Sequence, residues 1–330
     1  MKIGFLGAGF IVQDALEALL KIPQIDSTAI FVREKSRDKA ESLAKKFSIQ
    51  KIYTDYDELL NDPEIDFIYV GLPNGLHYSE TKKALRAGKN VILEKPSTTR
   101  VTEIEELAKI AEEKHLYLFE AVTMLHSPNF QAMKRELKSI GKLKIAQFNY
   151  SQYSRRYDAY REGTVLPSFD PQNFGGALYD INIYNLNLAI GLFGAPKNFE
   201  YFPNVGFNGV DTSGILNLEF NGFRATCIGA KDSESSSFAI IQGEDGFIQM
   251  NDQPNLMRSF EVHVRGGESK TINENQFEHR MIHEFIEFNE IFERQDFQTM
   301  LDWLKTSIEV IRIAEGSIKK SGLIYGKRDV

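Results

Sequence analysis

The chain has 330 residues, 42% of them apolar, with a formal charge of -7 and a pI near 5.6. That length suffices for two packed domains at ~100 to 200 residues each, and the acidic balance leaves no basic domain to neutralise nucleic-acid phosphates. No run of about 18 apolar residues is present to cross a membrane and no basic leader precedes the first strand, so a cytosolic protein with neither nucleic-acid nor membrane partners is expected.

The chain opens Met1-Lys2-Ile3-Gly4-Phe5-Leu6-Gly7-Ala8-Gly9-Phe10-Ile11-Val12, an apolar strand over 2 to 6 that runs into a glycine turn. Without side chains at Gly7 and Gly9, backbone N–H groups around Gly7, Gly9, Phe10 and Ile11 can approach a pyrophosphate at a helix N-terminus. Val12 stands where the third glycine of G-x-G-x-x-G belongs, which predicts a helix set slightly further from the strand. Ile11, Ala15, Ala18 and Leu19 recur at helical spacing, and a strand expected over 28 to 32 completes a β-α-β unit.

About twenty residues past the turn, such a unit places the side chain that meets the adenine ribose. Here it is Arg33, with Ser36 and Arg37 close behind. A guanidinium suits a 2′-phosphate through paired, charge-assisted bonds, so NADP is expected in preference to NAD. Glu34 is the counterweight, because it would reach the ribose hydroxyl if the strand ended one residue later.

Strands expected at 66 to 71, 90 to 94 and 116 to 119, with helical segments between, give a doubly wound parallel sheet over 1 to 121. Glu94-Lys95-Pro96 closes the strand at 90 to 94, at the carboxyl end where ligands bind in such sheets. Pro96 restricts the backbone of Lys95. A lysine there can hold the substrate oxygen that gains alkoxide character as hydride moves.

From 122 to 330 the pattern changes to a helix near 177 to 192 and strand-like runs at 143 to 150, 215 to 220, 223 to 228, 238 to 242, 247 to 250 and 260 to 264. Asn221-Gly222 reads as a type I′ hairpin and Glu244-Asp245-Gly246 as another reversal, so this second sheet is expected to be large, open and mostly antiparallel. The single cysteine, Cys227, lies in one of these runs and reads as a packing residue, since it can form no internal disulfide. Two closing helices carry the stripes Phe277, Met281, Phe285, Phe288, Ile291 and Met300, Leu304, Ile308, Ile311, read as core. A cleft between the two domains is the expected substrate site.

Gly175-Gly176-Ala177-Leu178-Tyr179-Asp180-Ile181-Asn182-Ile183-Tyr184 is a glycine-hinged entry to a helix, with Asp180 and Tyr184 four apart and so on one face. A phenol is a poor base at neutral pH, but a nearby ammonium such as Lys95 stabilises its phenolate.

With these residues the whole chain resembles the Gfo/Idh/MocA family of NAD(P)-dependent oxidoreductases. The family pattern E-K-P is met at Glu94, Lys95 and Pro96. Its G-G-x-x-x-D-x-G-x-(H/Y) stretch is met at Gly175, Gly176, Asp180 and Tyr184, with Asn182 in place of the glycine. Leu72-Pro73-Asn74 with His77 resembles the family's T-P-N-x-x-H loop, with Leu72 for the usual threonine, and Glu120-Ala121 resembles its E-A pair.

The resemblance implies a Rossmann domain over 1 to 121 and a substrate-binding and oligomerisation domain of α+β type over 122 to 330. It implies Lys95 as the catalytic, nicotinamide-orienting lysine, Asp180 as an orienting carboxylate and Tyr184 as proton donor or acceptor. Cofactor contacts are implied at Leu72, Asn74, His77 and Glu94, although His77 could instead cap the following helix. Tyrosine at 184 and arginine at 33 are similar to the glucose-fructose oxidoreductase and dimeric dihydrodiol dehydrogenase branch. The expectation is hydride transfer between NADP or NAD and a secondary alcohol or carbonyl of a sugar, cyclitol or related polyol. A homodimer or higher homo-oligomer is expected through the sheet face bearing Ile215, Leu218 and Phe220.

Two other readings of the scaffold are a non-catalytic dinucleotide sensor, disfavoured by the Lys95, Asp180 and Tyr184 set, and an NAD-dependent glycoside hydrolase. His279 and His283 with Glu284 lack the third ligand and the internal glutamate of a metal motif, so no metal is expected. His126 has no role assignable from sequence. Tyr153-Ser154-Arg155-Arg156-Tyr157-Asp158-Ala159-Tyr160-Arg161 reads equally as a sugar- or anion-binding stretch and as a surface or dimer contact. No G-x-S-x-G or Walker loop supports a hydrolase or kinase.

Overall fold

The computed structural model describes residues 1–326. Met1–Ala121 with His279–Ile308 form one compact unit, and Val122–Glu278 with the residues from 309 onward form the other.

The first unit runs β1 (Lys2–Leu6), α1 (Phe10–Leu19), β2 (Asp26–Phe31), α2 (Arg37–Phe47), β3 (Lys51–Tyr53), α3 (Tyr56–Asn61), β4 (Phe67–Val70), α4 (Asn74–Arg86), β5 (Asn90–Glu94), α5 (Val101–Lys114) and β6 (Leu118–Ala121). The strands form one parallel sheet of order β3-β2-β1-β4-β5-β6. A parallel sheet covered on both faces needs strands without alternation, and all of β4, Phe-Ile-Tyr-Val, is buried. One strand of this sheet, β3, is not among those expected, and the ends of β2 and β6 differ from expectation. β3 is too short to show a period. β2 ends at Phe31, so Arg33 lies beyond it and caps a short 3₁₀ turn, Glu34–Ser36. β6 starts at Leu118 because Leu116 N–H returns to the Ala111 carbonyl at 2.8 Å, closing α5 through the left-handed His115.

The second unit contains α6 (Pro128–Glu136), β7 (Leu143–Ser151), α7 (Tyr157–Arg161), α8 (Ile183–Phe193), β8 (Asn198–Val205), β9 (Asp211–Glu219), β10 (Arg224–Ala230), β11 (Phe238–Gly243), β12 (Gly246–Met250), β13 (Phe260–Val264) and β14 (Lys270–Ile272). Its eight strands are ordered β14-β13-β12-β11-β7-β10-β9-β8. All neighbours are antiparallel except β7 and β10.

Between β9 and β10 the reversal at Asn221-Gly222 puts only Gly222 at positive φ, 89°. It is therefore not type I′, which needs both central residues there. The register also corrects the expected association face. Leu218 and Phe220 are buried in the core with Leu216, Ala225, Cys227, Ile241 and Ile248. Ile215 belongs instead to the opposite, open face, in one row with Ile228 and Phe202, while Ile145 and Phe247 lie in another.

The segment expected as one helix over 177 to 192 is two elements: a π-helical turn, Leu178–Asn182, and then α8. Asp180 and Tyr184 thus lie on either side of a change in helical register.

The last helices are α9 (Ile282–Glu293) and α10 (Phe297–Lys320). α9 and the first half of α10 belong to the first unit, which corrects the expected continuous domain over 122 to 330. The cause is aromatic packing on the parallel sheet: Phe288 stacks on Phe119 at 4.6 Å and Phe292 meets Phe67 edge-on at 5.0 Å. Phe277 precedes α9 and is exposed, so it drops out of the expected stripe.

Candidate active site

At the glycine turn, Gly7 has φ +98°, and a Cβ there would meet the Gly71 carbonyl oxygen at 3.2 Å. Gly9 precedes α1, and a Cβ on it would meet nothing within 4 Å, so the approach to the helix end is open. Gly9 supplies no side-chain cap and the first turn carries no acid, leaving its N–H groups suited to an anion. Phe10 is 80% exposed and Ile11 half-buried at this end.

Val12 is fully buried, and the expected wider separation is met by a different device. Gly71, just past β4, faces it; a Cβ on Gly71 would lie 2.6 Å from Val12 Cγ2. The missing side chain has moved from the helix to the facing strand end.

Arg33 is exposed and makes no ion pair among the described residues. Glu34, the alternative ribose partner, lies 3.7 Å from Arg37, whose guanidinium also donates to Glu41 at 3.3 Å. Arg37 is thereby shared between two carboxylates, whereas Arg33 has no carboxylate partner among the described residues. An open glycine, uncapped N–H groups and an unpaired guanidinium together fit a dinucleotide with a 2′-phosphate.

The loop after β5 is held at three successive residues. Lys95 N–H donates to Glu94 Oε2 at 3.2 Å, the Pro96 carbonyl lies 2.8 Å from His77 Nδ1, and Ser97 N–H donates to Glu120 Oε1 at 2.7 Å. Glu94, His77 and Glu120 are all buried. The other ring nitrogen of His77 lies 2.8 Å from the Leu72 carbonyl. A neutral imidazole has one N–H to donate, so one of these carbonyls is hydrogen-bonded and the other is held by contact, with His77 seated between the Leu72 loop and the Lys95 loop. Burial holds its imidazole below the usual range, against the pull of the two carbonyls. Lys95 is half-buried, and Asn74 opens α4.

Behind this loop lies a buried acidic group. Glu94 Oε1 accepts from Tyr69 OH at 2.5 Å, and burial raises its carboxyl. Glu284 on α9 is fully buried with neither oxygen hydrogen-bonded, and burial, reinforced by the Glu94 charge, pushes its carboxyl well above the usual range. Asp14 on α1 accepts from Arg280 and lies 3.1 Å from His279 Nε2. His279 is thus a partner of Asp14, while His283 is buried on α9. Among the described residues no three His, Cys, Asp or Glu side chains gather as a metal would need.

In the second unit, Gly175 and Gly176 lead into the π turn. A Cβ on Gly175 would lie 2.6 Å from the Pro167 carbonyl oxygen, so only glycine passes there, and Gly176 N–H donates to the Ser168 carbonyl at 3.0 Å. Asp180, with its side chain 41% exposed, pairs through Oδ2 with Lys231 Nζ at 2.7 Å. Tyr184 is half-buried, its ring 5.9 Å from that of Tyr150. Asn182, in the place of the family glycine, is fully buried and donates to the Cys227 carbonyl at 3.1 Å. It fits because Gly229 on β10 faces it, where a Cβ would lie 2.5 Å from Asn182 Cβ.

Asp211 anchors the same turn by accepting from Leu178 N–H at 2.7 Å, from Tyr201 OH at 2.6 Å and from Tyr325 OH. Sequence reasoning missed Lys231, Asp211 and Gly71, whose partners come from distant stretches of chain. In the 153 to 161 stretch, Tyr160 is buried between Phe169 and Phe207, at 5.0 and 4.4 Å, so that ring serves packing, while Arg155 and Arg156 are exposed. His126 ends a short 3₁₀ turn, Thr123–His126. A groove of about 990 Å³ lined by Ser151, Gln152, Gln249, Asp252 and Arg258 contains none of the motif residues. No helix among the described residues is long and apolar enough to cross a membrane.

Residues 1–122 match the GFO_IDH_MocA family, an oxidoreductase family with an NAD-binding Rossmann fold. Over 325 residues the chain is 31% identical to scyllo-inositol 2-dehydrogenase (NADP(+)) IolU of Bacillus subtilis (strain 168), covering 98% of each chain. It is 30% identical over 257 residues to trans-1,2-dihydrobenzene-1,2-diol dehydrogenase of Xenopus tropicalis, covering 76% of this chain and 74% of that one. The fold is similar to that of a 3-ketoreductase from Actinomadura kijaniata in complex with NADP and TDP-benzene, with a TM-score of 0.80, 22% identity and 97% coverage of both chains. End-to-end likeness and a nucleotide-binding half built around the glycine turn and the Lys95 loop agree: the chain belongs to the Gfo/Idh/MocA family of oxidoreductases.

Proposed function

We propose that this oxidoreductase prefers NADP and acts on a secondary alcohol or carbonyl of a cyclitol, sugar or related polyol. The observation that carries the reading is the Lys95 loop, pinned at three consecutive residues by buried side chains at the carboxyl end of β5. A lysine on a backbone so immobilised can hold a substrate oxygen where negative charge develops, without reorganising as it does so. The scyllo-inositol and dihydrodiol dehydrogenases among its relatives support the substrate class.

Backbone groups at Gly7, Gly9, Phe10 and Ile11 would hold the pyrophosphate, Arg33 with Arg37 the 2′-phosphate, and Leu72, Asn74 and Glu94 the remaining contacts. When bound, the nicotinamide supplies or accepts the hydride. Lys95 stabilises the negative charge on the substrate oxygen, Tyr184 gives or takes its proton, and Asp180 orients the substrate through a hydroxyl.

The test is titration of the purified protein with NADPH and NADH, followed by nicotinamide fluorescence, and then assay with scyllo-inositol and a polyol panel. Tighter NADPH binding is expected. Arg33→Ala should weaken it about 10- to 100-fold, the worth of one or two charge-assisted bonds. Preference for NADH would move the adenosine contact to Glu34, and binding of neither would reject the reading.

The same proposal includes a cytoplasmic location, where nicotinamide coenzymes are supplied. It also includes a homodimer formed through the open sheet face, where Phe202, Ile145 and Ile215 are 52%, 47% and 43% exposed.

A further inference from the structure

Lys231 lies one residue beyond β10 and is buried, with only 4% of its side chain exposed. A lysine is almost never buried to that degree unless its charge is matched. Three groups match it. Its Nζ donates to the Ser168 carbonyl at 2.5 Å, pairs with Asp180 Oδ2 at 2.7 Å and lies 4.3 Å from the centroid of the Phe169 ring.

The same Ser168 carbonyl accepts from Gly176 N–H at 3.0 Å. One buried ammonium therefore joins the 167 to 169 turn, the glycine hinge and the carboxylate on the π turn. Its main chain is fixed as well, since Lys231 N–H donates to Thr212 O at 2.9 Å and its carbonyl accepts from Ser154 N–H at 2.9 Å.

The other acids near this ammonium are otherwise engaged. Asp211 accepts from Leu178 N–H and from two tyrosines, and burial holds its carboxyl above the usual range while Lys231 opposes that shift. Asp232, the next residue, accepts from Thr212 Oγ1 at 2.7 Å and from Ser213 Oγ at 2.9 Å. Asp180 is the acid that the ammonium contacts directly, and 41% of its side chain is exposed.

We propose that Lys231 is a positioning residue for catalysis: it fixes the Asp180 carboxylate, in its charged form and in one orientation, as an acceptor for a substrate hydroxyl. This rests on the proposed function for the role of Asp180. It adds that Asp180 works as the solvent-reaching half of an ion pair whose other half, Lys231, is buried, and not as the proton acceptor of the reaction. The arrangement favours substrates that donate hydrogen bonds, such as polyols, over anionic ones.

The experiment is a double-mutant cycle on the full-length protein with Lys231→Gln, Asp180→Asn and the pair together. NADPH affinity, turnover and KM for scyllo-inositol, and thermal unfolding are followed for all four proteins. NADPH affinity is expected within about threefold of wild type in each, because the proposed nucleotide contacts lie in the other unit. Each single change should lower kcat at least tenfold, and the pair should be no worse than Asp180→Asn alone, the signature of two groups acting as one.

Lys231→Arg, which keeps the charge, should retain more activity than Lys231→Gln, and it carries the comparison if the glutamine variant does not fold. Turnover of Lys231→Gln within threefold of wild type, or losses that multiply in the pair, would overturn the proposal.

A wild-type protein that binds NADPH yet turns over no polyol would overturn the functional reading instead. Thermal unfolding then decides the Lys231 assignment, which requires Asp180→Asn to cost less stability in the Lys231→Gln background than in wild type.

Discussion

Lys95 owes its place to residues that do not share its chemistry, so its removal and its displacement are separable. Lys95→Ala should lower kcat about 100- to 1,000-fold, as loss of one preorganised donor does, with NADPH affinity little changed. His77→Ala leaves the lysine present but removes the ring seated between the Pro96 and Leu72 carbonyls, and should lower kcat about tenfold; assay of both variants beside wild type checks the distinction. Glu284 offers a second experiment at this scale. Its carboxyl is raised by burial, so the stability it contributes is complete below the unfolded value near 4.5 and is lost as pH rises toward the folded one. Glu284→Gln removes that loss. Unfolding temperatures between pH 5 and 8 should show the variant pulling ahead of wild type as pH rises, by at most about 1.4 kcal/mol per pH unit. A difference that stays constant with pH would count against it. Lys95, Asp180 and Tyr184, the proposed site, stand out in the sequence because glycines and a proline mark their surroundings. Lys231 and Glu284 do not, because an ion pair or an unpartnered acid exists only once distant chain has come together.

The elements show why a motif can be incomplete and still fold. Two places that call for glycine, 12 and 182, hold valine and asparagine, and in each the facing strand supplies the glycine, at 71 and 229. Close approach is a property of a pair of positions, and sequence reading inspected only one member of each. Gly71→Ala should destabilise by about 1 to 3 kcal/mol through overpacking against Val12. The exchange Val12→Gly with Gly71→Ala should recover most of that, which denaturant unfolding of the three variants measures. The alternation of sheet periods and the glycine turn made most strands of both sheets legible, but not β3, β8 or β14. The π turn was not, because its residues carry the same apolar spacing as the helix it enters. The open face of the second sheet was misassigned for Leu218 and Phe220, since alternation shows that two faces exist but not which one is covered.

At the scale of the molecule, the reading of an open apolar sheet face predicts a sedimentation mass near twice 37.6 kDa, and a monomer mass at working concentration would refute it. The boundary after Ala121 was visible as a change of pattern, whereas the membership of α9 in the first unit was not. A helical stripe of Phe285 and Phe288 says that something is covered without saying what. A fragment of residues 1–121 lacks the rings of Phe285, Phe288, Phe292 and Trp303 that pack on Phe67, Tyr69 and Phe119. It should show no cooperative thermal transition, because each such buried ring is worth about 1.5 to 3 kcal/mol. The discontinuity also sets an order in time. During synthesis the nucleotide-binding strands emerge first, and the helix that covers them follows only after residues 122–278 have been made. At ~5 to 20 residues per second that interval is roughly 10 to 30 s, in which the aromatic face of the first sheet stands uncovered on the ribosome and open to chaperones or to other nascent chains.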